Sequence, residues 1–406
     1  MFKLVHRYFH QHLSLFVIVA GALSFFISNI FMKEILSATH YGHYSIFVTY
    51  FSLIYVFGIL GTEQVFLRFS IQTKKDTIVT QKFQLQLILV VILFSTILCS
   101  FLFKKYYSEI TISTLLLFVS SLSMIGSLFL FSILRLNANF VLAQFISNYW
   151  KIVLCTLAGC FYIFKDNGLA FFITVVCVNV ILIFALSLSY VCKKISISFN
   201  NDVSIKEIMQ TGFHFFLSIF SFSVLLFADR FIIEMKYSFI EFGNFFYLTN
   251  FFLAPYAILQ NYIGFKQLIV FKGNFNKDYF VNFNRKALFF GVLLGFFLLL
   301  LAFILNYTNV ISFRFNRYPS IIVLLLLTGV VRLYSSSIIS AFEARTSITT
   351  LRKANVYIAG ITFIILLAAV FLASSIEEIL IYVILIWVFR CFIHRQLLLR
   401  QMKISI

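Results

Sequence analysis

Two basic side chains, Lys151 and Arg332, stand near the centres of apolar runs that are each long enough to cross a lipid bilayer. A charge in the middle of the hydrocarbon layer costs about 2.5–3.5 kcal/mol on insertion scales, and a side chain at this depth cannot easily reach the headgroups. Each cation should therefore face a protein interior or water. Cations so placed could bind an anionic group. Arginine suits phosphate groups because its guanidinium donates two parallel hydrogen bonds, whereas lysine acts as a point charge.

Polar side chains share helical faces with these cations, at spacings of three and four residues. The three predicted faces are Gln144, Asn148, Lys151 and Cys155; Thr328, Arg332, Ser336 and Glu343; and His214, Ser218, Ser221 and Asp229. If the three helices converge, these faces line one hydrated cavity. The substrate-binding residues expected there are Arg68, Lys151, Arg332, Arg230, Gln144 and Asn148. The alternative for each cation is an ion pair or a hydrogen bond that only joins helices, and Arg68 could equally be an ordinary basic residue of a cytoplasmic loop.

Asp229 and Arg230 place opposite charges side by side near the end of an apolar run. Adjacent residues point about 100° apart on a helix, so these two side chains do not simply face each other. The carboxylate could take up a proton and couple transport to an ion gradient, or it could neutralise a buried cation. Glu63 and Glu343 present the same two alternatives. His214 could titrate near neutral pH, although a lone histidine on a helix more often only makes a hydrogen bond.

The composition indicates where these residues must be held. Of the 406 residues, 62% are hydrophobic and 11% are charged, against about 45–50% and about 25% in soluble domains. Such a chain is an integral membrane protein, and lipid requires its apolar runs to be helices. The net charge of +18 arises from short basic clusters between these runs, which is typical of cytoplasmic membrane loops. Nucleic acid is therefore not an expected partner.

Twelve apolar runs are predicted to be transmembrane helices, which makes the fold an all-α polytopic membrane protein. The runs are 13–32, 44–60, 83–103, 111–134, 140–164, 168–192, 212–233, 242–265, 287–305, 320–342, 354–373 and 379–393. The last run is short, and Pro255 inside the eighth could kink that helix. Most of the 32 Lys and Arg residues fall in segments that are cytoplasmic if the N-terminus is cytoplasmic. An even number of spans then places the C-terminus on the same side.

The connecting segments are too short to form a soluble domain. The alternative of a different class is a membrane-embedded polysaccharide polymerase or ligase. We would expect such an enzyme to carry a large external loop with catalytic residues, so the short segments disfavour it. A scaffold without transport activity has little reason to keep buried charges. The six cysteines include no CxxC pair, so neither a zinc site nor a disulfide framework is expected. We expect no catalytic residues, no metal and no cofactor.

A weak internal repeat divides the chain near its middle. Ser28–Ser52 aligns without gaps with Asp229–Leu253, which brings Tyr41-Gly42 onto Phe242-Gly243. Each segment leaves an apolar helix, crosses a charged link and enters another helix. Transporters are often built from two such repeats, with the substrate between them. The predicted domains are therefore an N-terminal six-helix bundle, residues 1–200, and a C-terminal six-helix bundle, residues 201–406.

Three segments resemble those of a known family: KEILSATHYGHYSIF (33–47), LGTEQVFLRF (60–69) and ADRFIIEMKYSFIEFGNFFYL (228–248). They are similar to the O-antigen and polysaccharide flippases of the MOP (multidrug, oligosaccharidyl-lipid, polysaccharide) exporter superfamily. In the second segment, Glu63 and Arg68 occupy the charged positions. The first segment departs from the family pattern, because Lys33 replaces the usual arginine and Ser37 stands where glycine is common.

The resemblance implies two six-helix bundles in a MATE/MOP-like fold, around a central cavity that opens alternately to each side. The implied cargo is an oligosaccharide on a polyprenyl diphosphate, moved from the cytoplasmic to the outer leaflet of the bacterial inner membrane. Coupling to an H⁺ or Na⁺ gradient and partners among other glycan-assembly membrane proteins are further expectations, and the functional unit is expected to be a monomer. A cation-coupled multidrug exporter of the same superfamily is the close alternative, although its cationic substrates favour an acidic cavity.

Overall fold

The computed structural model describes residues 2–74, 76–165, 168–200, 203–273 and 276–404. These ranges are almost entirely helical, as the composition predicts. In chain order the helices are α1 (Phe2–Ile35), α2 (Ala38–Phe57), α3 (Thr62–Phe69), α4 (Lys82–Tyr106), α5 (Thr114–Leu136), α6 (Phe140–Phe164), α7 (Leu169–Lys194), α8 (Ile205–Lys236), α9 (Phe239–Phe252), α10 (Ala254–Gly273), α11 (Lys277–Thr308), α12 (Pro319–Arg345), α13 (Ile348–Leu372) and α14 (Ile376–Ile404).

The helices confirm a multi-pass membrane protein. Within the described residues, nine helical spans are long and apolar enough to cross a bilayer, or ten if the two parts of α8 form one span. The other two predicted runs, 242–265 and 379–393, lie in α9 with α10 and in α14. The count of twelve therefore remains a prediction, whereas the all-α polytopic class is confirmed.

The second span of each half is broken rather than continuous. In the second half, α9 ends at Phe252 and α10 begins at Ala254, with Pro255 in its first turn. Proline is tolerated there because the first N–H groups of a helix have no partner within it. The prediction of one continuous helix over 242–265, which Pro255 could kink, is therefore wrong in one detail. Pro255 lies in the first turn of a separate helix, α10.

In the first half, the break between α2 and α3 depends on a tight turn. Leu60 and Gly61 have positive φ angles of 51° and 78°. A Cβ atom at Gly61 would also lie 2.9 Å from the backbone carbonyl carbon of Phe215. Glycine is needed here for both reasons, because it adopts the left-handed conformation without strain and permits the close approach of a neighbouring backbone. The turn sets the start of α3, and with it the position of Glu63.

The chain divides into two compact units, residues 1–223 and 224–406. The division falls inside α8, whereas the predicted boundary at 200/201 precedes this helix. The early part of α8 packs within unit 1, where Phe216 and Phe220 contact Phe57 at ring-centroid distances of 6.4 and 5.7 Å. The last part of α8 carries Asp229 and Arg230 into unit 2.

Each unit is organised around one central helix. In unit 1, α5 packs against α2, α3, α4, α6 and α7, while α1 packs along α6. In unit 2, α12 packs against α9, α10, α11 and α14, and α13 packs against α14. Both central helices bury several serines, which are small enough to let helices approach closely in a membrane. These are Ser120, Ser121, Ser123, Ser127 and Ser132 in α5, and Ser335, Ser336, Ser337 and Ser340 in α12.

Helix boundaries reproduce the register of the sequence repeat. Helix α1 ends at Ile35 and α2 begins at Ala38, while α8 ends at Lys236 and α9 begins at Phe239. The residue before each new helix is a serine whose hydroxyl accepts a hydrogen bond from the third helical N–H group, which is the usual role of an N-cap. Ser37, which departs from the family pattern, thus has a structural role that Ser238 repeats in unit 2.

A small sheet in unit 1 was not predicted. Strands β1 (Ile71–Lys74) and β2 (Thr77–Thr80) form an antiparallel hairpin, and β3 (Ser196–Phe199) pairs in parallel with β2. The Gln81 side chain donates a hydrogen bond to the Val203 carbonyl, 2.9 Å away. Four-residue strands in polar sequence carry too little periodicity to be recognised. Their effect is to hold the segment before α8 against the α3–α4 connection.

Packing around Gly329 provides a test of the unit 2 fold. A Cβ atom at Gly329 would lie 2.5 Å from the ring of Tyr256, which is buried and donates a hydrogen bond to the Gly291 carbonyl. We expect Gly329→Ala to lower stability by about 1–3 kcal/mol, because an overpacked core must shift. Thermal unfolding of the purified protein in detergent measures the change.

The matched control is Gly264→Ala in α10, where the added Cβ has no neighbour within 4 Å. This substitution should leave the melting temperature unchanged or raise it, since alanine favours a helix over glycine by about 0.5–1 kcal/mol. Equal melting temperatures for the two variants would contradict the α10–α12 packing described here.

Candidate functional site

Unit 2 contains a group of charged residues on α8, α12 and α14, which we call the charge cluster: Asp229, Arg230, Arg332, Glu343 and Arg390. Asp229 is 5% exposed, and its Oδ1 atom accepts a hydrogen bond from the backbone N–H of Arg230 at 2.8 Å. The carboxylate also lies within electrostatic reach of the Arg332 side chain. This position fits the charge-pairing role of Asp229, which, like its ion-coupling alternative, remains a prediction.

Two guanidinium groups lie against one indole ring. The Cζ atoms of Arg332 and Arg390 are 5.2 and 5.3 Å from the ring centroid of Trp387, which is completely buried. A cation near an aromatic face gains about 0.5–2 kcal/mol, more where water is excluded. The indole therefore fixes the positions of two cations that would otherwise repel each other. Both arginines are half-buried.

Glu343 completes the cluster at the far end of α12. It lies within electrostatic reach of Arg390 and is exposed, although its neighbours Ala341 and Phe342 are buried. With both carboxylates ionised, three arginines still leave the cluster positive.

Helical spacing explains how the sequence builds this arrangement. Arg332 and Glu343 are separated by about three turns of α12 and so share one face. Trp387, Arg390 and His394 follow one another on α14 at spacings of three and four residues. His394 Nδ1 lies 2.9 Å from the Arg390 carbonyl oxygen, and its ring packs on Phe342 at 4.7 Å. Because Arg332 meets Trp387 and Phe342 meets His394, the two helices run in the same direction.

Arg230 occupies a more aromatic environment than the other two arginines. Its Cζ atom is 5.6 Å from the ring centroid of Phe227 and 5.2 Å from that of Phe246. Its Nε atom is buried without a hydrogen-bond partner in the described part of the chain. The structure places Arg230 within α8, half-buried against Phe246 of α9, and its substrate-binding role remains a prediction.

Unit 1 holds the other predicted cation, Lys151, in a neutral polar face of α6. Lys151 Nζ donates a hydrogen bond to Asn148 Oδ1 at 3.1 Å, and Asn148 Nδ2 donates to the Gln144 carbonyl at 2.9 Å. Asn148 lies directly against α1, where a Cβ atom at Gly21 would be 2.6 Å from the Asn148 Cβ atom. The structure therefore brings Gln144, Asn148 and Lys151 together, with Lys151 half-buried.

The two charged residues of α3 are not brought together. Glu63 is 6% exposed and its Oε1 atom accepts a hydrogen bond from Gln64 Nε2 at 3.3 Å. Arg68 is exposed, and its Cζ atom lies 5.9 Å from the Phe69 ring centroid. Within the described residues no hydrogen bond or ion pair joins either side chain to Lys151. The exposure of Arg68 fits an ordinary basic residue, and its substrate-binding role remains a prediction.

The third polar face is divided between the units. His214, Ser218 and Ser221 belong to unit 1, whereas Asp229 belongs to unit 2. Convergence of the three faces on one cavity therefore remains a prediction. No group of histidine, cysteine, aspartate or glutamate side chains among the described residues is arranged to hold a metal ion.

Sequence reasoning missed Arg390, Trp387 and His394. In the sequence, Arg390 contributes to the excess of basic residues predicted to be cytoplasmic, and no role in the site is predicted for it. The structure places it inside α14, a helix that continues to Ile404. The available signal was the spacing of Trp387, Arg390 and His394, which puts an aromatic ring and two basic side chains on one face of that run.

Comparisons with known proteins include a likeness to a solved structure. No protein-family model matches the chain, and no curated protein matches it. A solved structure titled "Inward-facing conformation of a multidrug resistance MATE family transporter of the MOP superfamily" is similar over 95% of this chain and 94% of that chain, with a TM-score of 0.49 and 11% sequence identity.

Removing Asp229 tests whether it neutralises the arginines. We expect Asp229→Ala to destabilise the protein by about 3–5 kcal/mol, because it leaves a buried cation uncompensated. Adding Arg332→Met should recover part of this loss, so that the double variant is more stable than the sum of the single effects predicts. Unfolding in detergent micelles measures both.

Asp278→Ala is the matched control, since Asp278 is exposed in the first turn of α11. Its loss should cost less than about 1 kcal/mol. Strict additivity of the Asp229 and Arg332 substitutions would show that the two side chains are not coupled.

Proposed function

We propose that this protein is a flippase of the MOP exporter superfamily that moves a polyprenyl-diphosphate-linked oligosaccharide from the cytoplasmic to the outer leaflet of the bacterial inner membrane. The observation that carries the proposal is the charge cluster, in which Arg332 and Arg390 are held on Trp387 inside apolar helices. The motif resemblance at 33–47, 60–69 and 228–248 supports the same function. The diphosphate is the anionic part of this cargo, and arginine is the side chain best suited to it.

Each part of the site has a defined task in this proposal. Arg332 and Arg390 bind the diphosphate and offset its loss of hydration as it leaves the aqueous face. Lys151, with Asn148 and Gln144, provides a second polar surface for the head group, with one positive charge. Alternating opening of the cavity to the two sides of the membrane would then move the head group while the polyprenyl chain remains in lipid.

Coupling to an ion gradient is a further part of the proposal. Asp229 and Glu63 are carboxylates buried in helices that can cross a membrane, and such groups are typical of proton or sodium relays. No resident cofactor is needed for this function. Action as a monomer and association with other glycan-assembly membrane proteins are also proposed.

A cation-coupled multidrug exporter is the alternative function, and the buried carboxylates Asp229 and Glu63 favour it. The excess of arginine over carboxylate in the charge cluster favours the anionic cargo instead. Accumulation of an organic cation in cells lacking the gene, without any change in surface glycan, would support the exporter.

Deletion of the gene should cause lipid-linked oligosaccharide to accumulate in the inner leaflet and should reduce surface glycan. Re-expression of the wild-type chain should restore the glycan, whereas Arg332→Gln and Lys151→Gln should each restore only a fraction, because each removes a cation from the path. Gel analysis of surface glycan and extraction of lipid-linked precursors measure these outcomes at matched protein levels.

Arg345→Gln is the matched control, because Arg345 lies at the exposed end of α12 and should not contact the cargo. Normal glycan export in the deletion strain would reject the flippase. Full rescue by both cation variants would reject the assignment of Arg332 and Lys151 to the transport path.

A further inference from the structure

The first two turns of α2 and of α9 each contact a loop that joins two later helices of the same unit. In unit 1, His43 Nε2 lies 3.5 Å from Oε2 of Glu109, which belongs to the α4–α5 loop, residues 107–113. In unit 2, Asn244 Nδ2 donates a hydrogen bond to the hydroxyl of Tyr318 at 3.0 Å, and Tyr318 ends the α11–α12 loop. The sequence repeat aligns His43 with Asn244, so both units make this connection from the same position.

The α4–α5 loop is held at its base, which gives Glu109 a defined position. Lys104 Nζ donates a hydrogen bond to the Ile112 carbonyl across the loop, and Ile110 and Ile112 are buried. The Glu109 side chain itself is 68% exposed, whereas that of His43 is 12% exposed. The contact therefore joins a nearly buried histidine on a helix to an exposed carboxylate on an ordered loop.

The two connections differ in their response to pH. The Asn244 amide and the Tyr318 phenol are neutral between about pH 5 and pH 8, so their hydrogen bond does not change over this range. Histidine is the side chain that ordinarily changes charge in this range, while an exposed glutamate stays ionised. The attraction between His43 and Glu109 is therefore present while His43 is protonated and is lost as the pH rises.

His43 has other charged and titratable neighbours at this end of unit 1. His40, on the same helix, acts electrostatically on His43. Most of the others are lysines and glutamates, which keep their charge between about pH 5 and pH 8. His40 is therefore the neighbour whose titration an experiment must separate from that of His43. The charged residues at this end include Lys33 and Glu34 on α1, Lys104 and Lys105 on α4, and Lys165 after α6.

We propose that His43 and Glu109 form a pH-sensitive latch, which holds the α4–α5 loop on α2 when His43 is protonated and releases it as the pH rises. The connection between Asn244 and Tyr318 is the pH-insensitive counterpart in unit 2. With the N-terminus cytoplasmic, as the basic residues predict, both loops lie on the external side. The latch would then sense the proton concentration outside the membrane. This inference does not depend on the identity of the cargo.

Amide hydrogen exchange of the purified full-length protein in detergent, followed by mass spectrometry, tests the latch. Rates are converted to protection factors, which removes the pH dependence of the intrinsic exchange. The α4–α5 loop, where the Ile110 N–H donates to the Tyr107 carbonyl at 3.2 Å, should be about two- to fivefold better protected at pH 5 than at pH 8. This is the range expected for one ion pair with an exposed partner. Residues 309–318 should be equally protected at both pH values and provide the internal control.

Four variants separate the latch from a general effect of pH. His43→Asn, which copies the residue of unit 2, and Glu109→Gln should each abolish the pH dependence of loop protection. His43→Lys should keep the loop protected at both pH values, because lysine remains charged. His40→Asn is the matched control and should retain the pH dependence of the wild type. Melting temperatures verify that each variant is folded.

Three results would overturn the inference. The first is a pH dependence that survives in His43→Asn or in Glu109→Gln. The second is its loss in His40→Asn, which would assign the titration to the other histidine. The third is an equal response of residues 309–318, which would show that pH acts on the whole protein. Failure of the flippase proposal is a separate result, because glycan export does not enter this experiment.

Discussion

A charge placed among apolar helices is costly unless a counter-charge, an aromatic ring or a polar group compensates it, and the arrangement of unit 2 follows from this constraint. Asp229 is buried and accepts a hydrogen bond from the Arg230 backbone N–H, while the Trp387 ring lies near the guanidinium groups of both Arg332 and Arg390. The cluster contains three arginines and two carboxylates, and this excess of arginine fits the anionic cargo proposed for the protein.

The two units share one architecture but differ in chemistry. The repeat places Ser28 and Asn29 of α1 at the positions of Asp229 and Arg230 of α8. Both are buried, and both donate side-chain hydrogen bonds to the carbonyl of Phe25. At this position of unit 1 the side chains are therefore neutral, and their hydrogen bonds stay within α1. The predicted cation of unit 1, Lys151, lies on α6 instead. Helix order and the serine caps are common to the two units, while the charged residues differ in identity and in the helix that bears them.

The sequence predicts most of the architecture because lipid allows few alternatives. The apolar runs predicted the helices. The alignment of Tyr41-Gly42 with Phe242-Gly243 predicted the repeat, and the starts of α2 and α9 follow the same register. What the sequence could not provide were contacts between distant helices. Arg390 received no role in the predicted site because a single sequence does not show that α14 packs against α12. The strands of the small sheet were missed because pairing between residues 77–80 and 196–199 is not encoded in either segment alone.

Transport in a defined membrane tests the central claim most directly. The purified protein is reconstituted in liposomes containing a polyprenyl-diphosphate-linked oligosaccharide, and a membrane-impermeant glycosidase is added outside. The account predicts that the enzyme cleaves oligosaccharide beyond the fraction that starts in the outer leaflet, and that Arg332→Gln/Arg390→Gln abolishes this additional cleavage. Equal cleavage by the wild type and the double variant, or by liposomes without protein, would contradict it.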